Sequence, residues 1–385
     1  MNENKKSVLI VWVYYPAAGH FAEAIEAAAN YSYANPELEI SLAVNSNTFW
    51  KLAHYCSWIK NIIPVDVDDV NKNLDKALTL KNVIKDFSYV IFPERLYYTP
   101  QDFSDELLRC NRFLQSFFTS EIWRGYNNVP ANSPVCLKAK LFSPFKMDMP
   151  EAAKSFAYKY KTDRLTISLI LRGSPSVPIW PTLKTWKYIF KKINSNYPSV
   201  QFILTGVTPN DQSNTIYQKL SNFRFKKFID SVPNLINCYD VGVEKQLALI
   251  QQSDLFISPH TGFAFFAPCL GTPWLALSGT NWEDQFMGGT PFYASLPKCN
   301  KYPCSGEMKT ICKLKINMKI VPYCMNGSLK ARVEDILMGI SLLLDKNYTQ
   351  NQSFLFFEEN SGKLGVNKNK LHRLKKYKLD INEIS

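Results

Sequence analysis

The chain has 385 residues, enough for two domains of ordinary size, or two and a tail. Hydrophobic residues make up 46% and charged residues 20%, which excludes a disordered, collagen-like or coiled-coil chain, and the 25 Phe and 20 Tyr supply material for two cores. Lys+Arg at 45 outweighs Asp+Glu at 33, and a net charge of +12 suits acidic partners: nucleic acid, anionic lipid or a phosphorylated small molecule.

In chain order, Lys5-Lys6 and the apolar run that follows have the outline of a signal peptide. The run is short and β-branched and ends at the turn Pro16-Ala17-Ala18-Gly19, so it predicts a buried strand over 8–14. An Ala-rich helix follows over 21–33, then strand 38–44, helix 50–59, strand 62–65, helix 75–85 and strand 89–92. Strands separated by helical periods mean βαβ units and a parallel sheet. A helix is predicted over 106–118, followed by a Pro- and Asn-containing connection.

The alternation restarts at residue 165. Strands are predicted over 165–171, 200–204, 235–238, 255–258 and 273–278, with helices over 182–193, 214–220, 244–252 and 262–270. A closing helix over 332–344 is apolar at Val333, Ile336, Leu337, Ile340 and Leu343. Residues 255–282 carry no Asp, Glu, Lys or Arg, but Pro259, Gly262, Pro268, Gly271 and Pro273 break them into strand, turn, helix and strand, so no membrane span is predicted. The fold class is α/β: two doubly wound, Rossmann-like domains in tandem. They are placed at 1–160 and 161–345, followed by a basic tail over 346–385. Ligands of such sheets sit beyond the carboxyl ends of the strands, so the default active site is the cleft between the domains.

Nine cysteines form no disulfide framework. Cys56, Cys110, Cys136, Cys238 and Cys269 are scattered, which favours a reducing cytoplasm. Cys299, Cys304, Cys312 and Cys324 are clustered, and four thiolates so close are able to hold Zn²⁺ or iron, although their spacing is looser than paired doublets and also suits free thiols in a loop. Lys363, Lys368, Lys370, Arg373, Lys375, Lys376 and Lys378 make the tail strongly basic. It is suited to peripheral contact with an anionic membrane, or to plain solvation. No recognition helix or aromatic–basic motif points to nucleic acid.

Two places carry candidate chemistry. The turn Ala18-Gly19 leads His20 to the start of a helix, where an imidazole serves as a general base near neutral pH or as a capping residue. His260-Thr261-Gly262-Phe263 follows a late strand. Backbone N–H groups at a helix start, a hydroxyl and a glycine make an anion site that fits a diphosphate, though Thr261 also suits an ordinary N-cap.

The block 254–279, Asp-Leu-Phe-Ile-Ser-Pro-His-Thr-Gly-Phe-Ala-Phe-Phe-Ala-Pro-Cys-Leu-Gly-Thr-Pro-Trp-Leu-Ala-Leu-Ser-Gly, resembles the donor-binding signature of family 9 glycosyltransferases, the heptosyltransferase family. The likeness spans most of 5–345 and is strongest over 235–280. It implies the two-domain GT-B architecture and a metal-independent, inverting transfer of a sugar from a nucleoside-diphosphate donor. The acceptor it implies is a surface glycan, glycolipid or protein. It also implies a cytoplasmic enzyme, peripheral to the membrane if the tail docks there. His20 stands where the family has its catalytic Asp. The donor's diphosphate is implied on Thr261 and Gly262, with His260 and Phe263 beside them and Arg172 and Ser174 on the facing loop. His260 replaces the family's Asp before Thr-Gly, and Pro178 replaces the Lys of its Lys-x-Trp-Pro motif. Some relatives that glycosylate autotransporter proteins carry a metal-bearing cysteine finger similar to the Cys299–Cys304 region. These departures leave open a second reading, a catalytically silent module that binds a glycan or partner protein.

Overall fold

The computed structural model describes residues 6–13, 18–66, 87–91, 143–173, 180–207, 224–279, 289–298, 302, 315–316, 319–320 and 322–364. The helices predicted over 75–85, 106–118 and 214–220 lie outside these residues, as do Ser174, Cys299, Cys304, Cys312 and the tail beyond residue 364. The chain divides into two compact units, with the sequence break between Asp148 and Met149.

The first unit holds β1 (Lys6–Trp12), α1 (Ala18–Ala34), β2 (Leu38–Asn45), β3 (Asn61–Val65) and β4 (Tyr89–Ile91). The strands form a parallel sheet in the order β3-β2-β1-β4. Val8, Leu9 and Ile10 are fully buried, as a central strand of a covered parallel sheet requires. Ala22, Ala24 and Ala28 on α1 are fully buried, and their small side chains let the helix pack closely. The helix predicted over 50–59 is only a short 3₁₀ turn, Trp50–Tyr55. Buried Trp58 donates its indole N–H to Ile25 O (3.2 Å), which anchors the segment on α1 before another helical turn forms.

The second unit holds α2 (Glu151–Tyr158), β5 (Thr166–Leu169), α3 (Leu183–Asn196), β6 (Gln201–Leu204), β7 (Leu235–Asn237), α4 (Val243–Gln251), β8 (Leu255–Pro259), α5 (Phe266–Leu270), β9 (Trp274–Leu277), β10 (Phe292–Ser295), α6 (Val333–Leu344) and α7 (Gln350–Lys363). Its six parallel strands run β10-β9-β8-β5-β6-β7. Counted within the unit, this is the doubly wound order 3-2-1-4-5-6, and it reverses between β5 and β8. Thr182 caps α3 by accepting the Thr185 N–H (3.2 Å), and the helix buries Trp186, Ile189, Phe190 and Ile193. These join Ile336 and Ile340 of α6 in one core.

Three elements differ from the sequence reading. α2 falls in the stretch read as a connection; its Ala153 and Ala157 are buried, and Gln252 Nε2 donates to Lys154 O (3.2 Å), so α2 packs within the compact unit that starts at Met149. β10 adds a sixth strand. α7 occupies part of the stretch read as a tail: a capping box of Thr349 and Gln352 starts it, and Phe354 and Phe357 pack on Phe292 with ring centroids 4.9 and 6.4 Å away.

Candidate active site

In the first unit the strand order reverses between β1 and β4, and the chain leaving β1 enters α1 at Ala18. Gly19 is buried and His20 is half-buried in the helix's first turn. One turn on, Glu23 is buried, and its Oε2 lies 3.1 Å from His20 Nδ1. Positions i and i+3 share a helix face, which brings the two together. With Nδ1–H donating to the carboxylate, the neutral ring carries its basic lone pair on Nε2. Glu23 escaped the sequence reading, although its spacing from His20 was there to see.

In the second unit the reversal lies between β5 and β8, and the loops leaving these strands carry the other candidates. Gly173, just after Arg172, makes the closest approach: a Cβ there would stand 2.9 Å from His260 O and 3.4 Å from Thr261 Cβ. Only glycine lets these backbones touch. Thr261 is extended (φ −153°, ψ 143°), and its side chain makes no capping hydrogen bond. The expected helix over 262–270 is a 3₁₀ turn, Gly262–Phe265, followed by the single α turn α5. The turn's first backbone bond runs from Ala264 N–H to Thr261 O (3.0 Å), so the Gly262 and Phe263 N–H groups precede it. An element this short has little macrodipole, and its attraction for an anion rests on local N–H groups and the Thr261 hydroxyl.

Arg172 packs on Phe225. Its guanidinium lies 5.4 Å from the Phe225 ring centre, and Phe225 meets Tyr239 edge-on at 5.2 Å. Burial pushes the Tyr239 phenol up to about 12, against the opposing pull of the Arg172 charge. Tyr239 covers Gly206 (φ +141°), where a Cβ would lie 3.0 Å from the ring. Gln246 grips the same glycine through both its N–H (2.7 Å) and its C=O (3.0 Å). Gly206, Tyr239 and Gln246 thus pack together at the ends of β6 and β7, a cluster the sequence reading missed; a Gly two residues after a strand was its signal.

His260 is buried, its ring edge-on to Phe265 with centroids 5.7 Å apart. Desolvation pulls its pKa down to about 3, so the ring is neutral and brings no cation to a diphosphate. Phe263 is half-buried against Phe266 (5.7 Å). Of the four clustered cysteines only Cys324 is described; it is buried, and its carbonyl accepts from Arg332 Nη2 (3.2 Å). Among the described residues no three metal-ligating side chains converge. Nor, among them, is any helix long and apolar enough to cross a membrane.

No protein-family model matches the sequence, and no curated protein matches it. Solved structures do. A family 9 glycosyl transferase from Veillonella parvula aligns over 89% of this chain and 98% of its own, with TM-score 0.55 and 12% identity. The ADP-heptose LPS heptosyltransferase II of E. coli aligns over 88% and 98%, with TM-score 0.51 and 12% identity. The chain therefore has the fold of these glycosyltransferases, two Rossmann-like domains in tandem.

Proposed function

We propose that the chain is a glycosyltransferase that moves a sugar, with inversion and without a catalytic metal, from a nucleoside-diphosphate donor to a glycan, glycolipid or protein acceptor. The observation that carries this reading is the backbone contact of Gly173 with His260 and Thr261 at the point where the second sheet reverses. That is where α/β sheets of this order bind nucleotides. The donor's diphosphate would sit on the Gly262 and Phe263 N–H groups and the Thr261 hydroxyl. Arg172 would reach it by swinging off Phe225, and the nucleoside would lie toward Gly206 and Tyr239 at the ends of β6 and β7.

His20 would be the base. Its Nε2 takes the acceptor hydroxyl proton as that oxygen attacks the anomeric carbon from the face opposite the leaving diphosphate. The sugar–phosphate bond breaks, and the nucleoside diphosphate leaves with the electron pair. Glu23 holds the imidazole in the required tautomer and stabilises the imidazolium that forms, the part a carboxylate plays in a hydrolase triad. The work is expected on the cytoplasmic side of the membrane, where nucleotide sugars are made.

The test is incubation with UDP-, GDP-, ADP- and CMP-sugars, following donor hydrolysis and thermal shift. Turnover or a shift with one nucleotide class supports the reading. Neither with any donor favours the silent binding module, which the neutral His260 in place of an acid also suits.

A further inference from the structure

The charge of the second unit is unevenly spread. α3 holds Lys184, Lys187, Lys191 and Lys192 and no acid. The first three are exposed and recur at i, i+3 and i+7, one stripe along a helix about 21 Å long. The helical residues 224–230 lie alongside: Phe190 of α3 meets Phe228 at 6.1 Å, beneath exposed Arg224, Lys226 and Lys227. Against these six exposed cations stands one exposed acid of the same two helices, Asp230. Glu334 of α6 reaches only Lys192 (3.9 Å). By contrast, α2 and α4 balance Lys154 and Lys245 with Glu151 and Glu244.

We infer that this face is a docking surface for an anionic lipid bilayer. The apolar sides of both helices are used up in the core, so nothing is left to insert, and the attraction is electrostatic and reversible. Clusters of this size on an amphipathic helix are what anionic headgroups hold, at about a factor of five in partitioning for each basic side chain near the surface. A single-stranded nucleic acid would need exposed rings for its bases, and among the described residues of these two helices no aromatic is exposed: Tyr188 and Phe225 are half-buried. The inference stands independently of sugar transfer.

The experiment is flotation of the full chain with phosphatidylcholine vesicles, with and without phosphatidylglycerol, at low and high salt. Binding is expected only with phosphatidylglycerol and only at low salt. Changing Lys184, Lys187, Lys191, Arg224, Lys226 and Lys227 together to Gln should weaken it by ~100-fold, the loss of about three surface contacts. Lys154→Gln with Lys245→Gln should leave it unchanged. An unaltered thermal midpoint checks that the sixfold variant is folded. Equal vesicle binding by that variant overturns the proposal. So does loss of all binding on removing residues 365–385 alone, or an effect of the six substitutions on heparin retention but not on vesicles.

Discussion

The His20–Glu23 pair divides one task between two residues. If Nε2 is the base and Glu23 both orients the ring and offsets its charge, the variants should rank. His20→Ala should lower kcat by roughly 10²–10⁴-fold while the donor's Kd stays nearly constant. Glu23→Gln, which keeps an oxygen to accept from Nδ1 but loses the charge, should cost less than Glu23→Ala. A His20→Ala enzyme with wild-type kcat removes the base assignment, and equal loss in the two Glu23 variants means charge matters more than orientation. His260, the other candidate histidine, bears on stability. His260 is pulled to about 3 when folded and returns to about 6.5 when unfolded, so it stabilises the fold fully above pH 6.5. As pH falls from 6.5 toward 3 the unfolded chain takes up the proton first, and stability drops by up to about 1.4 kcal/mol per pH unit. Urea unfolding at stepped pH measures this, and His260→Gln should flatten the slope. An unchanged slope would place the acid sensitivity elsewhere.

At the scale of elements, the two loops at the sheet reversal depend on Gly173. Gly173→Val would press a branched side chain onto His260 O and displace the Thr261 loop, a strain of about 1–3 kcal/mol. Titration calorimetry should show the same loss of affinity for the bare nucleoside diphosphate as for the whole donor, since the displaced groups are those proposed to hold the phosphates. Loss confined to the sugar donor would move the diphosphate elsewhere. Most strands were legible because buried parallel strands are unbroken apolar runs; Val8–Ile10 and Leu255–Ile257 read as strands once a signal peptide and a membrane span were set aside. The glycosyltransferase-like block was legible because its punctuation, Pro259, Gly262, Gly271 and Pro273, is local. Less legible was what depends on distant partners. α2 is short, with only Ala153 and Ala157 turned inward, so its apolar signal is weak until α4 is beside it. α7 did announce itself through Thr349 and Gln352, but the basic residues beyond drew the eye to a tail. Thr261 and Gly262 stood out as residue types, whereas Gly173 matters through a backbone 87 residues away and Arg172 through Phe225, neither of which a linear pattern displays.

At the scale of the whole molecule, the second unit has everything an independent domain needs: a six-stranded sheet of its own, a core running from Ile167 to Leu343, and helices on it. The residues proposed for the donor, Arg172, Gly173, Gly206, Tyr239, Thr261, Gly262 and Phe263, belong to it. A fragment from Met149 to the C-terminus should therefore fold cooperatively and bind a nucleoside diphosphate about as tightly as the intact chain does. The starting residue is critical. A fragment beginning at 161, the boundary suggested by the sequence, loses α2 and uncovers the side of α4 that Ala153 and Ala157 shield. It also leaves Gln201 Nε2 without Tyr160 O, its acceptor at 2.8 Å. Together these should cost roughly 2–4 kcal/mol, a large share of a domain's stability. Urea denaturation of the two fragments compares them directly, and the shorter should unfold at clearly lower urea with a similar slope. Calorimetry on the longer one then addresses the site. If it folds as well as expected but does not bind the nucleotide that the intact chain binds, the donor needs residues before Met149, and the assignment of its site to the second unit alone is wrong.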